Sequence, residues 1–205
     1  MSNNTDSIYT ASAIHAYRAL YMLNPARIGA MLSARNFSAS VKILADCGYV
    51  DLNGTVDKIV EHERTRTYEM FLKLCTDDAL KTCVSDMWNF KNVKVPSNNT
   101  LENAEKTLEI TLRNHAKGVK NAQIRAYFDA YLDAWAHGQK ASDRVMWNIA
   151  HELSMDLGGM GALFFWYVQK NSEFMAVRII LGGKVLGLER EKIVANLGVL
   201  YERFK

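Results

Sequence analysis

Asn121-Ala-Gln-Ile-Arg-Ala-Tyr-Phe-Asp-Ala-Tyr-Leu-Asp-Ala-Trp135 is the stretch that decides the fold class. Its apolar residues Ile124, Tyr127, Phe128, Tyr131, Leu132 and Trp135 recur at i, i+3, i+4, i+7, i+8 and i+11, which is one face of an α-helix. Asp129 and Asp133 fall on the opposite side, where charge is expected to meet solvent. Outward from this helix, almost no stretch alternates polar and apolar residues, and the prolines are confined to Pro25 and Pro96. The chain is therefore expected to be all-α. Its 205 residues suffice for one domain or two small lobes, and a domain of this size buries roughly 70% of its unfolded surface.

Capping residues place the other helices. A helix from about Ser7 to Leu23 is expected to end before Asn24-Pro25, an N-cap followed by a first-turn proline that opens a helix turning Ile28, Met31 and Leu32 inward. Ser38 is the expected N-cap of the next helix, with Val41, Leu44 and Ala45 as its apolar face and Gly48 as its left-handed stop. After an Asn53-Gly54 turn, Val56, Ile59, Val60, Glu63, Thr67, Met70, Phe71 and Leu74 mark a longer helix whose charged middle is expected to be exposed. Asp77 is a candidate cap for a short helix ending near Asp86. Val95-Pro96-Ser97-Asn98-Asn99-Thr100 has the composition of a linker and sets the expected lobe boundary, residues 1–95 against 96–205. Beyond it lie a helix with Leu101, Ala104, Leu108 and Leu112, and one with Val145, Met146, Ile149, Ala150 and Leu153 that stops at Gly158-Gly159. A last helix from Glu189 buries Ile193, Leu197, Leu200 and Phe204, giving about ten helices in all.

Composition excludes several functions. The 25 basic and 22 acidic residues leave a net charge of only +3, spread along the chain, so no nucleic-acid partner is expected. Cys47, Cys75 and Cys83 are odd in number and fit no zinc spacing, the pattern of reduced, partly buried thiols. The polar start Met-Ser-Asn-Asn-Thr-Asp has no signal-peptide character, and the longest apolar run, about Met160 to Val168, is far short of the ~20 residues of a membrane span. A soluble chain is expected.

The motifs of common active sites fail residue by residue. A phosphate-binding P-loop around Gly183-Lys184 would need a glycine where Arg178 stands and a hydroxyl where Val185 stands. His151-Glu152 begins a zinc-protease pattern, yet its second histidine position holds Met155. No histidine has a carboxylate three residues before it, as a di-iron bundle requires. Glu61-His62-Glu63 occupies adjacent helix positions that point apart, so a solvated face is expected there. Gly158, Gly159 and Gly161 lack the preceding strand of a dinucleotide fold and read as a helix break. No catalytic residue, metal or cofactor is expected.

One segment carries more specific information. Gly161-Ala-Leu-Phe-Phe-Trp-Tyr-Val-Gln-Lys-Asn-Ser-Glu-Phe-Met-Ala-Val-Arg-Ile-Ile-Leu-Gly-Gly-Lys-Val-Leu-Gly-Leu188 runs through an apolar stretch to Glu173 and Arg178 and leaves through Gly183, Lys184 and Gly187. It resembles the C-terminal signature of the C-type (also called d-type) central-stalk subunits of the rotary V-type and A-type ATPases, the ATP synthases among them. Trp88-Asn89-Phe90-Lys91-Asn92-Val93-Lys94 looks like that family's second motif, an aromatic-x-Phe-x-Asn-(Val/Leu)-Lys run, and the layout from Ile14 to Tyr49 is similar to its first lobe. Phe90, Val93 and Lys94 also echo Phe174, Val177 and Arg178 at a spacing of 84 residues, as in a family of related helical lobes.

The resemblance implies repeated helix-bundle lobes and a non-catalytic adaptor between the membrane ring of proteolipid subunits and the central shaft. Such an adaptor couples ion transport to ATP hydrolysis or synthesis. Its partners would be the ring and shaft subunits, its place the cytoplasmic face of the membrane, and its only membrane contact through the ring. Trp88, Phe90, Asn92, Lys94, Glu173, Arg178, Gly183, Lys184 and Gly187 carry the motifs, as structural or interface residues. Two departures are plain: Ala176 stands where the family usually has Asn, and the chain is shorter than usual members, with Val95-Pro96 interrupting the helix after the second motif. The alternative is a free-standing helical module of the same descent that binds a protein or small ligand.

Overall fold

The computed structural model describes residues 20–92, 101–137 and 159–198, together with residues 13, 17, 148–149 and 151–153. The described residues contain helices and turns and no strand, so the protein is all-α. Among them, eight helices have defined bounds: α1 (Pro25–Ser33), α2 (Phe37–Ala45), α3 (Val56–Leu74), α4 (Asp78–Asn92), α5 (Leu101–Ala116), α6 (Ala122–His137), α7 (Met160–Val185) and α8 (Arg190–Leu197). The expected boundary between 95 and 96 lies outside the described residues. Contacts group the chain by other segments: one compact unit draws on residues 72–165, the other on 12–71 and 166–205.

In the first unit α4 packs on α5 and α5 on α6. Leu80, Cys83, Val84, Leu108 and Leu112 are buried, and so are Ile124, Tyr127, Phe128 and Leu132 on the stripe that the periodicity of the opening stretch marks. Tyr127 and Phe128 place their rings 4.9 and 5.5 Å from that of Phe164. Asp77 holds the start of this unit. Its Oδ1 accepts the amide of Leu80 at 3.1 Å as a helix cap, and its Oδ2 accepts the amide of Lys120 at 2.8 Å, across to the α5–α6 connection. The helix it caps does not end near Asp86 but runs on to Asn92.

In the second unit α1 packs on α2 and α8 on α1. Ile28, Met31, Leu32, Leu44, Ile59 and Val60 pack with Phe174, Ala176, Val177, Ile180 and Leu181 of α7 and with Ile193 and Leu197 of α8. Complete burial of each of these side chains other than that of Ala176 stabilises by about 1.5–3 kcal/mol. Asn24 caps α1 as expected, its Oδ1 accepting the amide of Arg27 at 2.9 Å ahead of Pro25. The cap of α2 is Asn36 rather than Ser38: Asn36 Oδ1 accepts the amide of Ala39 at 3.0 Å, which leaves Ser38 inside the first turn. Gly48 takes the expected left-handed conformation (φ 77°), and Tyr21 Cδ1 lies 2.8 Å from where a β-carbon would sit.

α7 is buried on most of its faces, from Gly161 to Tyr167 and again through Phe174, Ala176, Val177, Ile180 and Leu181, and its residues there are apolar to match. It takes in Gly161, expected as part of a helix break, in its first turn and continues through Gly182-Gly183 to Val185, and it closes through Leu188 N–H to Gly183 O at 2.9 Å with Gly187 left-handed at φ 66°. α8 is N-capped by Glu189 and defined to Leu197; the expected core positions Leu200 and Phe204 lie outside the described residues, as do Val145 and Met146.

Candidate functional site

One signature residue of α7, Glu173, sits in a buried charge cluster in the second unit. Lys170, one turn before Glu173, has no exposed side-chain surface, and neither has Glu173; their Nζ and Oε1 atoms are 2.7 Å apart. Tyr49 Oη donates to the same Oε1 at 2.9 Å and the amide of Leu23 donates to Oε2 at 2.9 Å. Both carboxylate oxygens are thus engaged by donors that come from far along the chain. Glu63 of α3, also buried, places Oε1 3.9 Å from Lys170 Nζ and accepts from Arg66 Nη1 at 3.1 Å. Arg66 donates in turn to the carbonyl of Gly48 at 2.8 Å. Lys170 Nζ further lies 5.1 Å from the Tyr49 ring centroid and 5.9 Å from that of Phe174, within cation–π range.

The electrostatics follow from burial and charge together. Burial alone would lower the Lys170 pKa, but the adjacent Glu173 and then Glu63 outweigh it and hold the ammonium above its ordinary value. Burial raises the Glu63 carboxyl, against the opposing pull of Lys170 and Arg66. Tyr49 is raised well above its ordinary value, first by burial and then by the Glu173 carboxylate it donates to. Lys170 with Arg66 and Glu63 with Glu173 balance in charge, and the cluster joins α3, the Gly48-Tyr49 turn and α7. Glu63 and Thr67 therefore overturn the expected exposure of the middle of α3: both are buried, while His62 beside them is exposed. A charge inside a helical lobe is held by its partners, and Lys170 supplies one that local periodicity does not reveal.

The remaining signature residues make structural contacts of different weight. Lys184 Nζ donates to the carbonyls of Leu32 at 2.7 Å and Ala34 at 2.6 Å, placing a cation on the unpaired C-terminal carbonyls of α1. Gly183 gives α8 room: a β-carbon there would lie 2.6 Å from Ile193 Cγ1. Arg178 is half exposed and pairs with Asp57 at 3.1 Å and Glu61 at 3.0 Å, a surface interaction of about 0–1 kcal/mol. Ala176, at the position where the resembled family carries Asn, is fully buried against the apolar core. Of the second motif, Trp88 and Phe90 are half-buried on α4, Asn92 is its last residue, and Lys94 lies outside the described residues.

No protein-family model, curated protein or solved structure matches this chain. Among the described residues, no group of three or more His, Cys, Asp or Glu side chains could hold a metal ion, and no helix is long and apolar enough to cross a membrane. The thiols of Cys47 and Cys75 are pushed up to about 11 and that of Cys83 to about 12, in each case chiefly by burial. They behave as core residues rather than nucleophiles. The chemical capacity of the Lys170–Glu173 cluster is likewise that of a rigid tie: its acid and base partner each other inside the lobe.

Proposed function

We propose that the chain is a non-catalytic adaptor subunit of a rotary V- or A-type ATPase, seated between the proteolipid ring and the central shaft on the cytoplasmic side of the membrane. What carries this reading is the signature stretch itself. Glu173 and Lys184 tie α7 to distant parts of one helical unit, to Leu23 and Tyr49 and to the end of α1, and Gly183 leaves the space in which Ile193 packs close. Residues that build a stiff lobe are what a torque-bearing socket asks of its motif, since load must pass through helices that do not slip against one another. Salt bridges and carbonyl caps inside the unit supply directional ties that apolar packing alone does not.

The function is then mechanical: ion flow through the ring and ATP turnover at the head are coupled through this subunit, which performs neither. Purified protein mixed with detergent-solubilised proteolipid ring should elute with it in size-exclusion chromatography, and shaft subunits should join the complex. A folded sample that elutes apart from both, or that hydrolyses ATP by itself, would overturn the proposal.

A further inference from the structure

Outside the buried cluster, the second unit carries a concavity of about 330 Å³ whose lining includes Arg35, Lys184, Gly187, Glu189 and Arg190. Three cationic side chains converge on it against one carboxylate, leaving two positive charges in excess. Arg35 and Arg190 are exposed, and among the described residues neither guanidinium has an ion pair or hydrogen bond. Lys184 differs: its two bonds to the carbonyls of Leu32 and Ala34 fix the ammonium in place and leave a third N–H to donate. The space beside Gly187 is open, since a β-carbon there would meet nothing within 4 Å.

We propose that this cleft is a binding site for a phosphate-bearing anion. A guanidinium presents its donors in a planar fork that suits a phosphate face, and two such forks around one fixed ammonium match a tetrahedral, multiply charged group. Glu189 also lines the cleft and opposes an anion there, so the grip rests on the three cations that outnumber it. The recognition is by side chains from the connection after α1 (Arg35), the end of α7 (Lys184) and the start of α8 (Arg190). It is unrelated to the failed P-loop reading of Gly183-Lys184 and requires neither nucleotide nor magnesium. The same chemistry is offered by a small phosphate compound and by a phosphorylated lipid headgroup.

The test is a ¹H–¹⁵N NMR titration of the full chain with sodium pyrophosphate, against sodium chloride at matched ionic strength. Binding predicts saturable shifts confined to the amides around Ser33–Arg35 and Gly187–Glu191 that chloride does not reproduce. Arg35→Gln with Arg190→Gln, both on exposed side chains, should weaken the binding by at least about ten-fold, with an unchanged melting temperature as the fold control. Sedimentation with phosphatidylcholine vesicles containing a minor fraction of phosphatidylinositol 4-phosphate, but not with phosphatidylcholine alone, assigns the site to a headgroup. Pyrophosphate binding without sedimentation assigns it to a soluble phosphate compound. Shifts that stay linear in concentration, that chloride matches, or that the double variant retains would overturn the site.

Discussion

Glu173→Gln isolates the central electrostatic tie. The substitution keeps the shape of the side chain but removes the charge opposite the fully buried Lys170, 2.7 Å away. It also turns one acceptor into a donor. With the amide oxygen at the Oε1 position, its NH₂ faces the Leu23 amide; reversed, it faces Lys170 and Tyr49. Either way a donor meets a donor, and the remaining carboxylate, Glu63, lies 3.9 Å from Lys170 and is shared with Arg66. Removing one partner of a buried pair costs about 3–5 kcal/mol, a large part of a total stability of about 5–15 kcal/mol. Because the folded Lys170 pKa is raised above 10.5, its contribution is complete below that pH and is lost only as pH rises through the folded value. Urea unfolding at pH 7, followed by far-UV circular dichroism, therefore samples the whole effect and should show a midpoint lowered by about 1–2 M. Adding Lys170→Met removes the orphaned charge and should return part of the loss, with a coupling of at least about 1 kcal/mol. A loss below about 1 kcal/mol for Glu173→Gln, or strict additivity in the double variant, would refute the tie.

Three further outcomes are expected. Gly183→Ala should destabilise by about 1–3 kcal/mol, because its β-carbon would meet Ile193 Cγ1 at 2.6 Å, whereas Gly182→Ala, with open space, should be neutral or stabilising by up to about 1 kcal/mol; equal melting temperatures for the two variants would contradict the close approach of α7 and α8. The folded Glu63 carboxyl is raised above 4.5, so its contribution is full below pH 4.5 and is lost as pH rises through the raised value. The stability of the wild type minus that of Glu63→Gln should accordingly fall with rising pH above 4.5, and a flat or rising difference in urea midpoints would count against the burial of that carboxyl. Cys47, Cys75 and Cys83 should react with iodoacetamide at pH 8 far more slowly in the native protein than in urea, as mass spectrometry would show; rapid native labelling would contradict their burial.

What is legible in the sequence is chiefly local. Asn24 and Asp77 reach their capping amides within three residues, so composition and spacing suffice to place them. The same locality explains the shifted cap at α2, where Asn36 and Ser38 are both good caps two residues apart and only the backbone decides between them. The apolar stripes of α1 and α6 are readable from their period, because each has one buried face. The charged middle of α3 reads as exposed, and is not, because Glu63 is held by Lys170, a residue 107 positions away that no periodicity links to it. A signal for that cluster is nonetheless present: Lys170 and Glu173 stand one turn apart, and Lys170 is in helical register with Phe174, Val177 and Leu181 of the buried face. The resemblance picks out Glu173, Gly183 and Lys184 as positions, but their partners lie 150, 10 and 152 residues away in sequence and emerge only from the packed helices. Arg35 and Arg190, which flank the basic cleft, belong to no motif and meet there only through the fold.

The most direct test of the adaptor reading is affinity purification of the tagged chain from detergent-solubilised membranes of its source cell, with the bound proteins identified by mass spectrometry. Proteolipid ring and central-shaft subunits should be recovered together, in fixed proportion to the chain, and should be lost with Glu173→Gln to the extent that this variant unfolds. Recovery of the folded chain without ring or shaft subunits, under conditions that keep the rotary complex intact, would contradict it.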